Sequence, residues 1–230
     1  RGPTASVSHN IAMSFFVRAQ DAPQRLRAAV ASTVSHTSMI LLPVFFGLAA
    51  CAPTLIALLG GERWAAAGPI AAGLALAGGV GATTHFLMTA LAARGEARLC
   101  CLALAAELVC VAIALWLLAP LGLIAIGVAR MVSTSAMAGF YLTVARPVFG
   151  IDRQAFLRSV LPSLLSATLM AVLVVGVARL LGPDTSSALV LIAQVSVGVL
   201  IYAGLALLFQ RALLYSVLNA LRGRKPGLPA

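Results

Sequence analysis

The chain has 230 residues, of which 61% are hydrophobic and 10% charged, and its mean hydropathy is +1.04. Soluble domains carry about a quarter charged residues, so this composition excludes a soluble globular protein and indicates an integral membrane protein. The net charge of +10 does not point to nucleic acid, because the basic residues sit at the ends of apolar spans, where membrane topology places them.

Ala5–Val17 is spotted with Ser6, Ser8, His9, Asn10 and Ser14. It is too short to cross a bilayer, which takes roughly 20 residues. It reads as the second half of a truncated helix, and the chain as the C-terminal part of a longer protein. A basic loop with Pro23 follows, and then no charge occurs between Arg27 and Glu62. The second span is expected at Val30–Ala50. Its first half carries Ser32, Thr33, Ser35, His36, Thr37 and Ser38, and its second half is apolar, with Pro43 and Gly47 one turn apart. A span that begins this polar should face protein or water in part. Pro53 is expected to restart the chain into a short apolar segment ended by Gly60 and Gly61.

The third span, Ala66–Ala92, is rich in glycine (Gly68, Gly73, Gly78, Gly79, Gly81) and holds Thr83, Thr84 and His85. Such small residues let helix backbones approach closely. The fourth span is Leu99–Ala119, ending at Pro120, and the fifth is Gly122–Ala145, ending before Pro147. The sixth is Ser159–Leu181 with Pro162 in its first turn, and the seventh is Ser187–Phe209. Beyond it, Leu213, Leu214, Val217, Leu218 and Leu221 share one helical face beside Arg222, Arg224 and Lys225, the pattern of an interfacial amphipathic segment. The fold expected is an all-α, polytopic transmembrane helix bundle with six complete spans and one truncated N-terminal helix.

The loops after the first, third, fifth and seventh spans carry Arg18, Arg25, Arg27, Arg94, Arg98, Arg146, Arg153, Arg158, Arg211, Arg222, Arg224 and Lys225, against Arg63 and Arg179 on the other side. This asymmetry places the first set, and the C-terminus, in the cytoplasm. The turns at Glu62, Pro120 and Asp184 are then outside.

Two charges fall inside spans. Glu107 and Arg130 each lie about eight residues from their own entry surface, or roughly 12 Å. In a core of about 30 Å their depths differ by roughly 6 Å. A lone intramembrane charge is costly, so pairing or hydration is expected. Cys100, Ala103, Cys110 and Ala114 form a stripe of small residues around Glu107, and Gly127, Thr134 and Tyr141 share the stripe of Arg130. Two readings stand. The pair lines a hydrophilic pathway, with Arg130 attracting an anionic group, or it is a structural joint between adjacent helices. His36 and His85 are candidate protonatable groups in a central cavity, or histidines bonded to a neighbouring helix. Pro43 and Gly47 are a candidate hinge, or a packing kink.

Cys51, Cys100, Cys101 and Cys110 show no CxxC or His-ligand spacing and read as small buried apolar residues. No metal, cofactor or catalytic residue is expected. The six acidic residues are dispersed, and no P-loop, GxSxG or HExxH motif occurs, so the chain does not read as an enzyme.

The order of features carries a resemblance. RAQDAPQRLRAAV is followed by ILLPVFFGLAACAPTLIALLGGERWAAAGPIAAGLALAG, then ALAARGEARL, PLGLIAIGVARMV and VFGIDRQAFLRSVLPSLLSATLMAVLV. This resembles the C-terminal half of bacterial polysaccharide flippases of the Wzx/PST type, in the MOP (MATE-like) exporter superfamily. The resemblance implies a second-lobe bundle over residues 1–147, two additional helices over 148–210 and an interfacial basic tail over 211–230. It implies a preceding N-terminal lobe, and a binding cavity near the midplane between the lobes. It also implies a bacterial inner-membrane location and a cargo of undecaprenyl-pyrophosphate-linked oligosaccharide, moved from the cytoplasmic to the periplasmic leaflet. Expected partners are that lipid-linked oligosaccharide, membrane lipids and other polysaccharide assembly proteins. The alternatives are a MATE-like small-molecule exporter and a non-transporting membrane subunit of a polysaccharide assembly complex.

Overall fold

The computed structural model describes residues 23–149, 153–182 and 185–211. Their regular structure is entirely helical. The elements are α1 (Pro23–Gly60), a 3-10 turn (Glu62–Trp64), α2 (Ala67–Ala93), α3 (Ala97–Leu118), a second 3-10 turn (Ala119–Leu121), α4 (Leu123–Phe149), α5 (Arg153–Leu181) and α6 (Ser187–Phe209). Six described helices are long and apolar enough to cross a membrane, so the chain is an all-α, multi-pass helix bundle. The truncated helix expected at 5–17 and the amphipathic segment at 213–221 lie outside the described residues.

Three boundaries differ from the sequence reading; in one, α4 does not stop at Ala145 but runs on through Pro147 to Phe149. Pro53 does not restart the chain: α1 runs unbroken through Pro43 and Pro53 to Gly60, 38 residues in all. At 1.5 Å per residue that is about 57 Å, longer than the bilayer with its headgroups. The reason is chemical. An internal proline removes one backbone donor, and in a membrane a neighbouring helix can re-satisfy the carbonyl it leaves. Here α6 does so for Pro43: the Tyr202 hydroxyl donates to the Met39 carbonyl, four residues before it, at 2.6 Å, while Gln194 Nε2 adds a bond to the Ala50 carbonyl, three residues before Pro53, at 3.4 Å. Likewise α5 begins at Arg153, so Pro162 lies inside the helix and not in its first turn.

α1 is the centre of the bundle. It packs on α2, α5 and α6; α2 packs in turn on α4, and α4 on α3. The core joins Val34, Leu42 and Phe46 of α1 to Leu87 and Leu91 of α2, Met137 of α4 and Met170 and Val174 of α5. α3 lies at the rim, with Leu108 and Trp116 exposed on its outer face, as suits a lipid-facing helix. Lipid tails are as apolar as leucine, so association of such helices depends on close packing and interhelical hydrogen bonds. Both are visible. A Cβ on Gly73 of α2 would come within 2.8 Å of the Gly127 Cα of α4, and one on Gly78 within 2.6 Å of the Phe45 ring of α1. The backbone approach of Gly73 to Gly127 requires glycine, and at Gly78 the Phe45 ring takes the space a side chain would fill.

The hydrogen bonds include a clasp between α5 and the end of α6. Ser163 donates to Gln210 Oε1 at 2.9 Å, and Gln210 Nε2 donates to Ser166 Oγ at 3.3 Å. All three residues are buried. Gln210→Leu removes both bonds and is expected to cost about 1 kcal/mol, because intramembrane side-chain bonds average well under 2. Thermal unfolding in detergent would register this as a drop of a few degrees, with α1–α4 packing unchanged.

Candidate functional site: a polar cavity at midspan

Glu107 projects from the middle of α3, and Arg130 from the first half of its antiparallel neighbour α4. The two meet: Arg130 Nη2 donates to Glu107 Oε1 at 3.3 Å. The Tyr141 hydroxyl, three turns further along α4, donates to Glu107 Oε2 at 3.2 Å. Both carboxylate oxygens are therefore engaged. Ser133, between them on α4, donates to the Arg130 carbonyl at 2.9 Å and is fully buried.

The pair is not sealed. About a third of each side chain is accessible, 37% for Arg130 and 31% for Glu107. Beside it lies a cavity of about 320 Å³ between α2, α3 and α4. Small residues of α2 (Ala77, Gly78, Gly81, Ala82) make the room, and His85, Thr84, Thr134 and Tyr141 supply the polar wall. Thr134 stands one turn from Arg130. It is 7% exposed, and its hydroxyl has no partner among the described residues. Thr84 instead donates to the Gly81 carbonyl at 3.1 Å. A cationic guanidinium, a hydroxyl and an imidazole thus converge on one space, which suits a small anionic group.

The structure brings Glu107, Arg130 and His85 to this cavity. His36 is not among its lining residues; its Nδ1 lies 2.7 Å from the Ser32 carbonyl of its own helix, so the imidazole is tied to α1. Pro43 and Gly47 lie elsewhere, along an apolar groove of about 670 Å³ between α1, α5 and α6. Of the cysteines, Cys51 is buried but Cys101 is exposed, and all four are free thiols. Among the described residues no group of His, Cys, Asp and Glu is placed to hold a metal.

Sequence reasoning placed Tyr141 on the Arg130 stripe without giving it a role; the structure makes it the second partner of the carboxylate. It passed over Gln194, Tyr202 and Gln210. Polar side chains inside apolar spans were the available signal for all three.

These features define a polytopic helical membrane protein with an ionic, partly open cavity at midspan. A family model described as a polysaccharide biosynthesis protein matches residues 4–69. The matched stretch takes in α1 and the start of α2, under a third of the chain, and stops short of Glu107, Arg130 and Tyr141. No curated protein and no solved structure matches the chain.

Proposed function

We propose that this chain is part of a membrane transporter that flips lipid-linked oligosaccharide, of the undecaprenyl-pyrophosphate type, from the cytoplasmic to the periplasmic leaflet in polysaccharide biosynthesis. The similarity of residues 4–69 to polysaccharide biosynthesis proteins and the resemblance of the longer pattern to Wzx/PST flippases support the cargo class. The observation that carries the mechanism is Arg130, held at midspan beside an open cavity. Its bond to Glu107 engages one of the five N–H donors of the guanidinium. The others, with the Thr134 hydroxyl, are a receptor for a phosphate oxygen. Glu107 and Tyr141 keep the cation in place when no cargo is bound, since an unpaired charge at this depth is costly. The role is passage and not catalysis. The C-terminus is cytoplasmic in this reading, and transport follows from ligand-driven shifts between inward- and outward-open states.

The test is polysaccharide export from cells that carry Arg130→Ala in the protein as its gene encodes it. Export is expected to fall at least tenfold per molecule of protein in the membrane. Full export at full abundance would remove Arg130 from the pathway.

A second reading has its own support. Because both Glu107 oxygens are occupied, the cluster also suits a structural joint in a non-transporting assembly subunit. Apolar replacement of the pair would then leave export intact.

A further inference from the structure

We infer that Tyr202 is the latch of a proline hinge in α1, a device that lies outside the polar cavity and does not depend on which cargo the cavity takes. In an α-helix the carbonyl of residue 39 accepts from the N–H of residue 43. Residue 43 is proline and has no N–H. The Met39 carbonyl is therefore the one that Pro43 leaves without its helical donor, and it is this carbonyl that the Tyr202 hydroxyl reaches, at 2.6 Å. The match is specific to the proline: an intact helix at this turn would offer Tyr202 no orphaned carbonyl.

Three further observations fit a hinge held by a latch. The proline turn borders open space, since Pro43 and Gly47 line the groove of about 670 Å³ that Tyr202 also lines. At Gly47 α1 meets α5 through the flexible end of Met170, whose Cε stands 3.5 Å from where a Cβ would be, an ordinary contact. Gln194, two turns before Tyr202 on α6, donates to the Ala50 carbonyl in the turn that precedes Pro53. α6 thus splints both proline-containing segments of α1.

The hinge is also coupled to the cavity wall. Phe45, two residues past Pro43, has its ring against Gly78, and Gly78 lines the polar cavity. A change in the bend at Pro43 carries Phe45 across α2. Tyr202 is thus a positioning residue. It sets the angle of α1 by satisfying a backbone group, and through α1 it sets the width of the cavity on the far side of α2.

The experiment is a mutant cycle read as a distance. Spin labels are placed at Ser32→Cys and Leu59→Cys, on exposed positions before and after the kink. The four native cysteines are replaced by alanine, and the protein is reconstituted in lipid bilayers. Wild type is expected to give one narrow distance, and Tyr202→Phe, which deletes only the hydroxyl, a broadened distribution with a second, shorter population. Pro43→Ala restores the helical donor to Met39, so in that background Tyr202→Phe is expected to change nothing. An equal change in both backgrounds, or none in the wild-type background, overturns the latch. If Tyr202→Phe does not accumulate as folded protein, rescue by Pro43→Ala supports the latch and failure of rescue overturns it.

Discussion

Glu107→Leu is expected to lose about 3 kcal/mol of stability, the low end of the range for breaking a buried ion pair. The low end applies because about a third of each partner is accessible. The loss does not measure the strength of the bond. It measures what it costs to leave Arg130 at midspan with no carboxylate, together with a Tyr141 hydroxyl whose acceptor is gone. The double variant Glu107→Leu/Arg130→Leu removes both charges and is expected to recover more than half of that loss, because two apolar side chains suit this depth better than one stranded cation. Unfolding by a denaturing detergent, followed for wild type, both single variants and the double, checks the pattern. A double variant as unstable as the sum of the singles would mean that the two side chains do not act as a pair.

Gly73→Leu is expected to be comparably severe for a steric reason. A Cβ alone at this position would stand 2.8 Å from the Gly127 Cα, and the obstacle is backbone, which cannot rotate away. Overpacking of this kind costs about 1–3 kcal/mol. The damage should not stay local. Ala77, one turn on, lines the polar cavity, so prising α2 from α4 moves that wall away from Arg130. Gly204→Leu is the control: nothing lies within 4 Å of a Cβ there, and the position is exposed on α6. The control is expected within about 0.5 kcal/mol of wild type. Equal effects of the two substitutions in a thermal unfolding series would dismiss the close crossing.

What the sequence made legible follows from what a bilayer imposes. Spans must be long, apolar and helical, because no water inside the hydrocarbon can satisfy a loose backbone; six of them were therefore readable from hydropathy alone. Glu107 and Arg130 were readable because charges are rare at that depth, and their pairing followed from comparable depths on consecutive antiparallel helices. The fate of Pro53 was not legible. Whether a proline ends a helix or sits inside one depends on what packs against that turn, and Gln194, which bonds the Ala50 carbonyl just before Pro53, lies 144 residues away. The same holds for Tyr202 and Met39, 163 residues apart. His36 and His85 looked alike in sequence, since each falls among hydroxyl residues in an apolar span. Their faces differ: His85 lines the polar cavity, while His36 is bonded to its own helix. Helix rotation about its axis decides this, and apolar patterning is weak in helices that are hydrophobic all round.

The most direct test of the transport reading is export by cells carrying the Glu107→Leu/Arg130→Leu double variant. Unlike Arg130→Ala, this variant leaves no stranded charge, so folding and function separate. If Arg130 receives an anionic headgroup on its way through the membrane, the double variant accumulates in the membrane near wild-type levels and export falls at least tenfold. Export at the wild-type rate from the charge-free protein would contradict that role, and would make the pair a joint between α3 and α4.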